Sequence, residues 1–420
     1  MLPDPTSPRY PRPRTSTLDS TALIIVAALV ACNGGPTGSP PCTNPSITVS
    51  SDSLILLQGA DRQLSAQAYC GTAPTTTTLL FSASDTTTAT VSAQGLVSAH
   101  RGGRTAVSIT ALGVVRDVPV LVFGHPAGVL AQTQTLTGSP VGVAVSPSGI
   151  VLVTRYDSTS LGRFTLPALA ATPGPSIPST GLDVAFDGTG TSAFVTNRDQ
   201  QLVTSVDVLA NASNGATPVG GHPLRVIFHP ATNTVFVTTD QDSLYKIDVA
   251  TRAVLSKIFL PSGVSGSGPN GLAFSPDRDI LYVSRQSGGV LKISVASLSI
   301  LDTIPAGSAE GLALSPSGDT LYDAVIASPV GVYIWNQVTH AFLTYLSLPA
   351  APYDVKLSPD STRIYVTAQS DLFVLDRATL QFTDTLHLAP STGPLRRIAF
   401  DRYGRFATVA GEGGAVYLIR

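Results

Sequence analysis

Short runs in which apolar and polar residues alternate fill most of the chain beyond residue 45. In residues 46–122 they include SITVS, SLILL, TLLFSAS and AVSITAL, and Gly, Asp, Ser or Thr separates one run from the next. Alternation with a period of two places apolar side chains on one face of a strand, so these runs predict short β-strands joined by turns. Many short strands with frequent turns predict a β-sandwich, which we assign to residues 46–124.

One phrase returns seven times in the rest of the chain. It joins a short apolar run, a turn and a second apolar run, as in GLAFSPDRDILYVS at residues 271–284. The copies begin at residues 142, 183, 225, 271, 311, 354 and 397, so by subtraction the steps are 41, 42, 46, 40, 43 and 43 residues. A period near 40 with β-type content is typical of propeller blades of four strands each.

The two ends of this repeat region complement each other. The last copy stops after its third predicted strand, AVYLIR, whereas VLAQTQTL precedes the first copy and has no blade of its own. If the strand at 129–136 completes the last blade, the ring closes and one exposed sheet edge disappears. The sequence therefore predicts an all-β protein with a β-sandwich followed by a seven-bladed β-propeller at residues 127–420.

The sandwich segment resembles the group 2 bacterial immunoglobulin-like domain over nearly its whole length. Phe81 occupies the place where that family has Trp. The other matching positions are Ser84-Asp85, Ala89-Thr90-Val91, Gly95-Leu96-Val97 and the Gly102-Gly103 turn before an Ile-Thr strand. The resemblance implies an Ig-like sandwich that serves as a spacer or an adhesive module at a cell surface.

The second apolar run of the repeat resembles the YVTN family of β-propellers, which occurs in surface-layer and exported prokaryotic proteins. The signature is clearest at Phe194-Val195-Thr196-Asn197, Phe236-Val237-Thr238-Thr239, Tyr282-Val283-Ser284-Arg285 and Tyr365-Val366-Thr367-Ala368. It decays at Tyr322-Asp323-Ala324-Val325 and Ala407-Thr408-Val409-Ala410. Members of this family share no single function, so the resemblance implies a fold rather than an activity.

The amino-terminal region predicts export. Three arginines precede the apolar run TALIIVAALVA at residues 21–31, whose 11 residues would form a helix of roughly 16 Å, too short for a bilayer core of about 30 Å. We therefore predict a signal peptide at 1–31 and a flexible Pro/Gly/Ser linker at 32–45. Leu29-Val30-Ala31-Cys32 resembles the lipobox of bacterial lipoproteins, which implies lipidation of Cys32. The alternative is an ordinary signal peptide with a chance Cys at its end.

Composition excludes several classes of protein. Only 12% of residues are charged and the net charge is -2, so we expect no nucleic-acid partner. The remaining cysteines, Cys42 and Cys70, form a possible disulfide in an exported protein. No motif for a phosphate loop, a nucleophile elbow or a metal site occurs, so we expect no cofactor and no metal, and we expect a monomer.

Polar residues at the start of the innermost strands form the candidate site. Because these strands converge on the central channel, the side chains should meet at one mouth of it. The six candidates are Asp183, Arg225, Asn270, Glu310, Asp354 and Arg397. Mixed charge at a concave mouth would suit a small polar ligand or a peptide. The alternative is a water-filled funnel whose charges pair among themselves.

Three classes of function follow. The first is a non-catalytic binding or scaffold lipoprotein, anchored by lipid at the outer membrane or cell surface and binding an envelope protein, peptide or glycan. The second is a propeller hydrolase of the lactonase type that uses the channel mouth. The third is a redox propeller, which the scattered His and few Cys disfavour. We adopt the first as the prediction, with no catalytic residues assigned.

Overall fold

The chain is built from β-strands throughout its described part. The computed structural model describes residues 42–261, 269–286, 289–307, 309–388 and 393–420. All regular secondary structure in these ranges is β-strand, arranged in ten sheets, which confirms the predicted all-β class. The predicted signal peptide, Cys32 and the linker up to residue 41 lie outside the described residues. Within the described residues, no helix is long and apolar enough to span a bilayer.

The first ten strands form the sandwich. The central sheet has the order β2-β10-β9-β6, and the smaller sheets β1-β4-β5 and β3-β8-β7 cover it. The strands are β1 Pro45–Val49, β2 Leu54–Leu57, β3 Asp61–Gln63, β4 Ala66–Cys70, β5 Ala73–Thr75, β6 Leu80–Ala83, β7 Ala89–Val91, β8 Leu96–Ala99, β9 Gly103–Ala111 and β10 Val114–Phe123. Alternate residues of β10, Val118, Val120 and Val122, are fully buried, as a period of two requires.

A disulfide closes the amino-terminal edge of the sandwich. Cys42 and Cys70 are bonded, with their Cα atoms 5.2 Å apart, and Cys70 pairs in register with Pro45 of β1. The bond ties residues 28 positions apart in sequence. Closing a loop of that length restricts the unfolded chain and stabilises the fold by about 3 kcal/mol in the chain-entropy model.

The remaining strands form seven four-stranded sheets, the blades of the propeller. Blade 1 consists of β12 Pro140–Val145, β13 Ile150–Arg155, β14 Gly162–Thr165 and β15 Ala170–Thr172. Blade 2 consists of β16 Gly181–Phe186, β17 Ser192–Asn197, β18 Leu202–Asp207 and β19 Ala212–Pro218. Blade 3 consists of β20 Pro223–His229, β21 Thr234–Thr239, β22 Ser243–Asp248 and β23 Val254–Phe259. Blades 4 and 5 are β24 Pro269–Phe274, β25 Ile280–Arg285, β26 Val290–Ser294 and β27 Ile300–Ile304, then β28 Ala309–Leu314, β29 Thr320–Val325, β30 Gly331–Asn336 and β31 Phe342–Ser347. Blade 6 is β32 Pro352–Leu357, β33 Arg363–Ala368, β34 Asp371–Asp376 and β35 Phe382–His387, and blade 7 is β36 Leu395–Phe400, β37 Ala407–Gly411 and β38 Ala415–Ile419 with β11 Leu130–Thr135.

The strand that precedes blade 1 completes blade 7. β11 pairs antiparallel with β38, from Leu130 opposite Ile419 to Thr135 opposite Ala415. Val143 and Val151 of blade 1 share one buried cluster with Val416 and other residues of blade 7. The first and last blades therefore pack against each other, and the described sheets form a seven-bladed propeller after an Ig-like sandwich, as predicted.

In four of the blades, a hydroxyl group near the end of the second strand binds the next blade. Thr154 donates to the carbonyl of Leu182 at 3.0 Å, and Thr238 donates to that of Pro269 at 3.0 Å. Ser284 and Thr367 make the corresponding bonds to Ala309 at 3.2 Å and to Arg396 at 2.7 Å. All four acceptors lie in or beside the innermost strand of the following blade, so these hydroxyls connect neighbouring blades.

The last residue of the second strand holds the loop that leads to the channel. Arg155 donates to the carbonyl of Thr137 at 2.8 Å, Asn197 to that of Ser179 at 3.0 Å, and Arg285 to that of Pro261. The loops at Thr137 and Ser179 enter β12 and β16, so these bonds help to fix where those two strands begin.

The sandwich contacts the turns at the far end of the innermost strands. Gly124 donates its N–H to the carbonyl of Tyr403 at 2.9 Å, and His125 Nδ1 lies 2.6 Å from the buried carboxylate of Asp360. Tyr365 donates its hydroxyl to the carbonyl of Pro126 at 2.8 Å. Since Asp360 and Tyr403 follow the ends of β32 and β36, the sandwich contacts blades 6 and 7 on the side of the propeller opposite the candidate mouth.

Candidate ligand site at the channel mouth

The six predicted residues all lie in innermost strands. Asp183 is in β16, Arg225 in β20, Asn270 in β24, Glu310 in β28, Asp354 in β32 and Arg397 in β36. Each sits within the first three residues of its strand, so the fold brings the six side chains to one end of the channel. The bonds among them show what each can offer to a ligand.

Arg225 reaches the adjacent blade 4, and Arg397 reaches across the channel to blades 4, 5 and 6. Arg225 Nε donates to the carbonyl of Asn270 at 2.8 Å, and its Nη2 lies 3.7 Å from Glu310 Oε2. Arg397 Nη1 donates to the carbonyls of Glu310 and Tyr353, both at 3.1 Å, while Nη2 reaches the carbonyl of Asn270 at 3.4 Å. These guanidinium groups therefore form the floor of the mouth.

The two aspartates accept backbone N–H groups, and Asp354 also accepts from Arg397 Nη1 at 3.3 Å. Asp183 accepts the N–H of Val184 at 3.0 Å and that of Val226, in the next blade, at 3.1 Å. Asp354, whose side chain is 1% exposed, accepts the N–H of Val355 at 3.1 Å and that of Ile398 at 3.2 Å. Both carboxylates thus join adjacent innermost strands, which leaves them little capacity for a ligand.

Glu310 is the carboxylate that faces the mouth with an oxygen to spare. Its Oε1 accepts from Asn270 at 3.2 Å and from Gln286 at 2.9 Å. Its Oε2 lies 3.7 Å from Arg225 and 4.0 Å from Arg397, beyond hydrogen-bond distance from either. A ligand atom could therefore bind between this oxygen and the arginines.

Three of the floor residues separate two cavities. The outer cavity has a volume of about 450 Å³, the inner one about 320 Å³, and Arg225, Asn270 and Arg397 line both. Apolar residues such as Val143 and Val184 line the inner cavity together with Asp183, Asp354 and Lys356, whose ammonium lies 3.8 Å from Asp354 Oδ1. The floor residues thus divide the channel into an outer cup and an inner section, each with both polar and apolar lining.

Sequence reasoning missed the walls of the outer cavity. Arg396 lies over the ring of Tyr353 at 4.5 Å and contacts Glu412 at 2.6 Å. On the other side, Arg198 lies 5.7 Å from the ring centroid of Tyr156 and donates to its hydroxyl. The positions of Tyr353 beside Asp354 and of Arg396 beside Arg397 could have signalled this, whereas Tyr156 and Glu412 come from loops whose path the repeat does not determine.

Burial affects the basicity of the floor. Desolvation and the nearby charge of Arg397 together lower the pKa of Arg225 to about 10, while Asp183, Glu310 and Asp354 oppose the change. At neutral pH the guanidinium stays charged. The cup therefore presents cations and carboxylates close together, an arrangement suited to a ligand that both donates and accepts hydrogen bonds.

Among the described residues, the cavity linings lack histidine and the chain lacks a cluster of metal ligands. No His lines either cavity, and no group of three or more His, Cys, Asp or Glu residues in the described ranges could hold a metal ion. His222, near the start of β20, instead pairs with Asp240 at 2.6 Å. Polar recognition is the chemistry that the cup supports.

Comparisons with known proteins agree with the architecture. Residues 44–122 match the family model described as Bacterial Ig-like domain (group 2), which confirms the resemblance found in the sequence. No curated protein matches the chain. A chain in the crystal structure of the mitotic checkpoint complex is similar over 70% of this chain and 94% of its own length, with 14% identity and a TM-score of 0.61. This likeness shows a β-propeller-like fold and, at such identity, nothing about function.

Proposed function

We propose that the chain is an exported bacterial lipoprotein that acts as a non-catalytic binding or scaffold module at the cell envelope. Lipid on Cys32 would hold it at the outer membrane or the cell surface, and the sandwich would carry a YVTN-type propeller. The group 2 Ig-like domain supports a binding or scaffold role, and the apolar run at residues 21–31 supports export.

The arrangement of the mouth carries this proposal. Its floor is held rigid by bonds between blades, while Glu310 Oε2 and Arg225 Nη2 face a cavity of about 450 Å³ without a mutual hydrogen bond. Aromatic walls at Tyr156 and Tyr353 add apolar contact area. A concave cup with a few preorganised polar groups is the usual form of a binding site.

A binding role fits this cup better than the lactonase-type alternative does. A hydrolase of that type would use His, Arg and Glu gathered at the mouth. Glu310 and the two arginines are there, but the described lining of both cavities includes no His. General base catalysis by imidazole therefore has no group positioned for it at this site.

A thermal-shift screen of the purified protein tests the cup. Short peptides, cell-wall fragments, sugar lactones and divalent metals would each be added, because a ligand at a hundred times its Kd stabilises by about 2.7 kcal/mol. A shift that Glu310→Gln abolishes, and that the control Asp302→Asn on an outer strand leaves intact, supports the site. A shift unchanged by Glu310→Gln, or turnover of a sugar lactone, contradicts it.

Metabolic labelling with palmitate tests the anchor separately. In a bacterial host, we expect label and membrane association for the wild type and for the linker control Ser39→Ala, and loss of both in Cys32→Ser. Label-free protein in the soluble fraction of the wild type would overturn the lipoprotein assignment while leaving the binding role open.

A further inference from the structure

A second cavity lies where the sandwich meets the propeller. It has a volume of about 290 Å³ and is enclosed by the start of β9 and by loops of blades 1 and 7. Its lining includes three arginines from both domains, Arg104, Arg402 and Arg405. Neither the sequence motifs nor the mouth accounts for this cluster.

Hydrogen bonds and close backbone contacts hold the two sides of this cavity together. The N–H of Gly124 binds the carbonyl of Tyr403 at 2.9 Å, and Arg101 Nη2 reaches the carbonyl of Arg405 at 3.5 Å. A Cβ atom added at Gly102 would lie 2.1 Å from the carbonyl oxygen of Tyr403, and one at Gly404 would lie 2.0 Å from that of Gly124. Only glycine allows the two loops to approach so closely, and the arginines are therefore brought together by the domain contact.

The three guanidinium groups lack acidic partners. Some arginines elsewhere in the chain have acidic partners, as in Arg363 with Asp376 at 2.5 Å and Arg116 with Asp52 at 2.6 Å. Within the described residues, by contrast, Arg104, Arg402 and Arg405 make no ion pair and no side-chain hydrogen bond, although Arg405 lies over the ring of Phe406 at 5.4 Å. Their N–H donors are therefore available to a ligand or to water.

The one carboxylate in the lining does little to neutralise them. Asp401 accepts the backbone N–H of Phe406 at 2.6 Å and that of Tyr403 at 3.3 Å. Burial raises its pKa, and these backbone hydrogen bonds and the nearby charge of Arg405 oppose part of the rise. The nearby Arg101 adds positive charge, and burial together with Arg405 and Arg420 lowers its pKa. The cavity thus concentrates positive charge in a protein whose net charge is -2.

We propose that this junction cavity binds a phosphate-bearing anion. Guanidinium groups present paired N–H donors that match phosphate oxygens, and several of them converge here on a small volume. A single carboxylate carries too little charge to balance three arginines, whereas a phosphate or diphosphate group brings two or more negative charges. Ser148 also lines the cavity and adds a hydroxyl donor. The free anion and a lipid headgroup share this chemistry.

Calorimetric titration of the full-length protein distinguishes these sources. The probes are inorganic phosphate and pyrophosphate at matched ionic strength, and vesicles of phosphatidylglycerol compared with phosphatidylcholine to subtract insertion of the apolar amino-terminal segment. The test variant carries both Arg104→Gln and Arg402→Gln. A second variant, Arg402→Gln alone, alters only an exposed turn residue, so its fold is preserved. Arg62→Gln removes one charge from an exposed position of β3 and serves as the control.

We expect saturable binding. Its affinity should fall at least tenfold in the double variant, several-fold in Arg402→Gln and less than twofold in Arg62→Gln. A signal with pyrophosphate identifies a free anion as the source, and a signal only with phosphatidylglycerol identifies a headgroup. Absence of both signals, or a signal that the double variant retains, overturns the proposal. The variants at the channel mouth do not alter this cavity. The outcome of this titration is therefore independent of the outcome of the tests of the proposed function.

Discussion

Blade 3 and blade 5 use the same strand plan with different chemistry in the second strand. In blade 3, Val237 is fully buried in an apolar cluster, and Thr238 binds the innermost strand of blade 4. In blade 5 the corresponding residues are Asp323 and Ala324, since Asp323 pairs with Leu312 as Val237 pairs with Val226. Blade 3 therefore has an apolar contact and a hydroxyl bridge at these two positions. Blade 5 has a buried carboxyl group at the first position and no hydroxyl at the second.

Asp323 is costly to the fold. Its side chain is fully buried, and neither carboxyl oxygen has a hydrogen-bond partner among the described residues. Burial raises its pKa well above the ordinary 3.8, while the nearby backbone N–H of Gly307 opposes only part of the rise. The comparison teaches that the propeller tolerates a defect in one blade because the other contacts of that blade, such as Leu312 and Leu321 in a shared cluster, are retained.

Transferring the defect should have the largest effect. Val237→Asp puts a carboxyl group into the apolar contact between blades 2 and 3, and we expect a loss of about 4 kcal/mol in the free energy of unfolding. Urea denaturation followed by fluorescence measures it, with Val237→Asn as the uncharged control. A loss below about 1 kcal/mol would show that blade 3 accommodates a buried carboxyl group as blade 5 does, so the two blades would not differ in this respect.

Repairing the defect should stabilise the protein. Asp323→Val restores the residue found at the corresponding positions of blades 3 and 4, Val237 and Val283, and removes two unpaired oxygens. We expect a gain of about 2 kcal/mol, the usual cost of an unsatisfied buried polar group. The same urea experiment tests this, and a destabilised variant would indicate that Asp323 has a partner essential to the fold.

The stability difference between the wild type and Asp323→Asn should depend on pH. Because the folded-state pKa of Asp323 is raised, the group contributes stability that is complete below pH 3.8 and is lost as pH rises towards the folded value. Within that window the wild type should lose about 1.4 kcal/mol per pH unit relative to Asp323→Asn. A difference that stays constant from pH 4 to pH 8 would contradict the raised pKa.

The hydroxyl bridge should contribute least. Thr238→Val keeps the shape of the side chain but removes the donor to Pro269, so we expect a loss of about 1 kcal/mol in thermal or urea unfolding. Thr344→Val, in β31, is the matched control because the structure shows no side-chain hydrogen bond for Thr344, and it should change little. Equal effects of the two substitutions would mean that the bridge between blades adds nothing.

The sequence predicted most of the fold because its repeats are local. The seven copies, the strand order within each blade and the completion of blade 7 all follow from alternation and spacing near 40 residues. The group 2 Ig-like resemblance, with Phe81 in the place of Trp, is confirmed by the family match. The YVTN assignment, the signal peptide and the lipidated Cys32 stay predictions.

The candidate site was predictable in position but not in chemistry. Strand starts must converge on the axis, so the grouping of Arg225, Glu310 and Arg397 follows from the repeat. Asp183 and Asp354 bind backbone N–H groups of the next blade. This could not be predicted, because the sequence does not show whether a carboxylate faces a ligand or a neighbouring strand.

Alternation, turn residues and the repeat by themselves determined strands, blades and their order, since these depend on neighbours along the chain. Only the tertiary structure decided which polar groups are satisfied, because their partners come from distant parts of the sequence. The cup at the mouth and the arginine cavity at the domain junction both exist through such contacts, between blades in one case and between sandwich and propeller in the other.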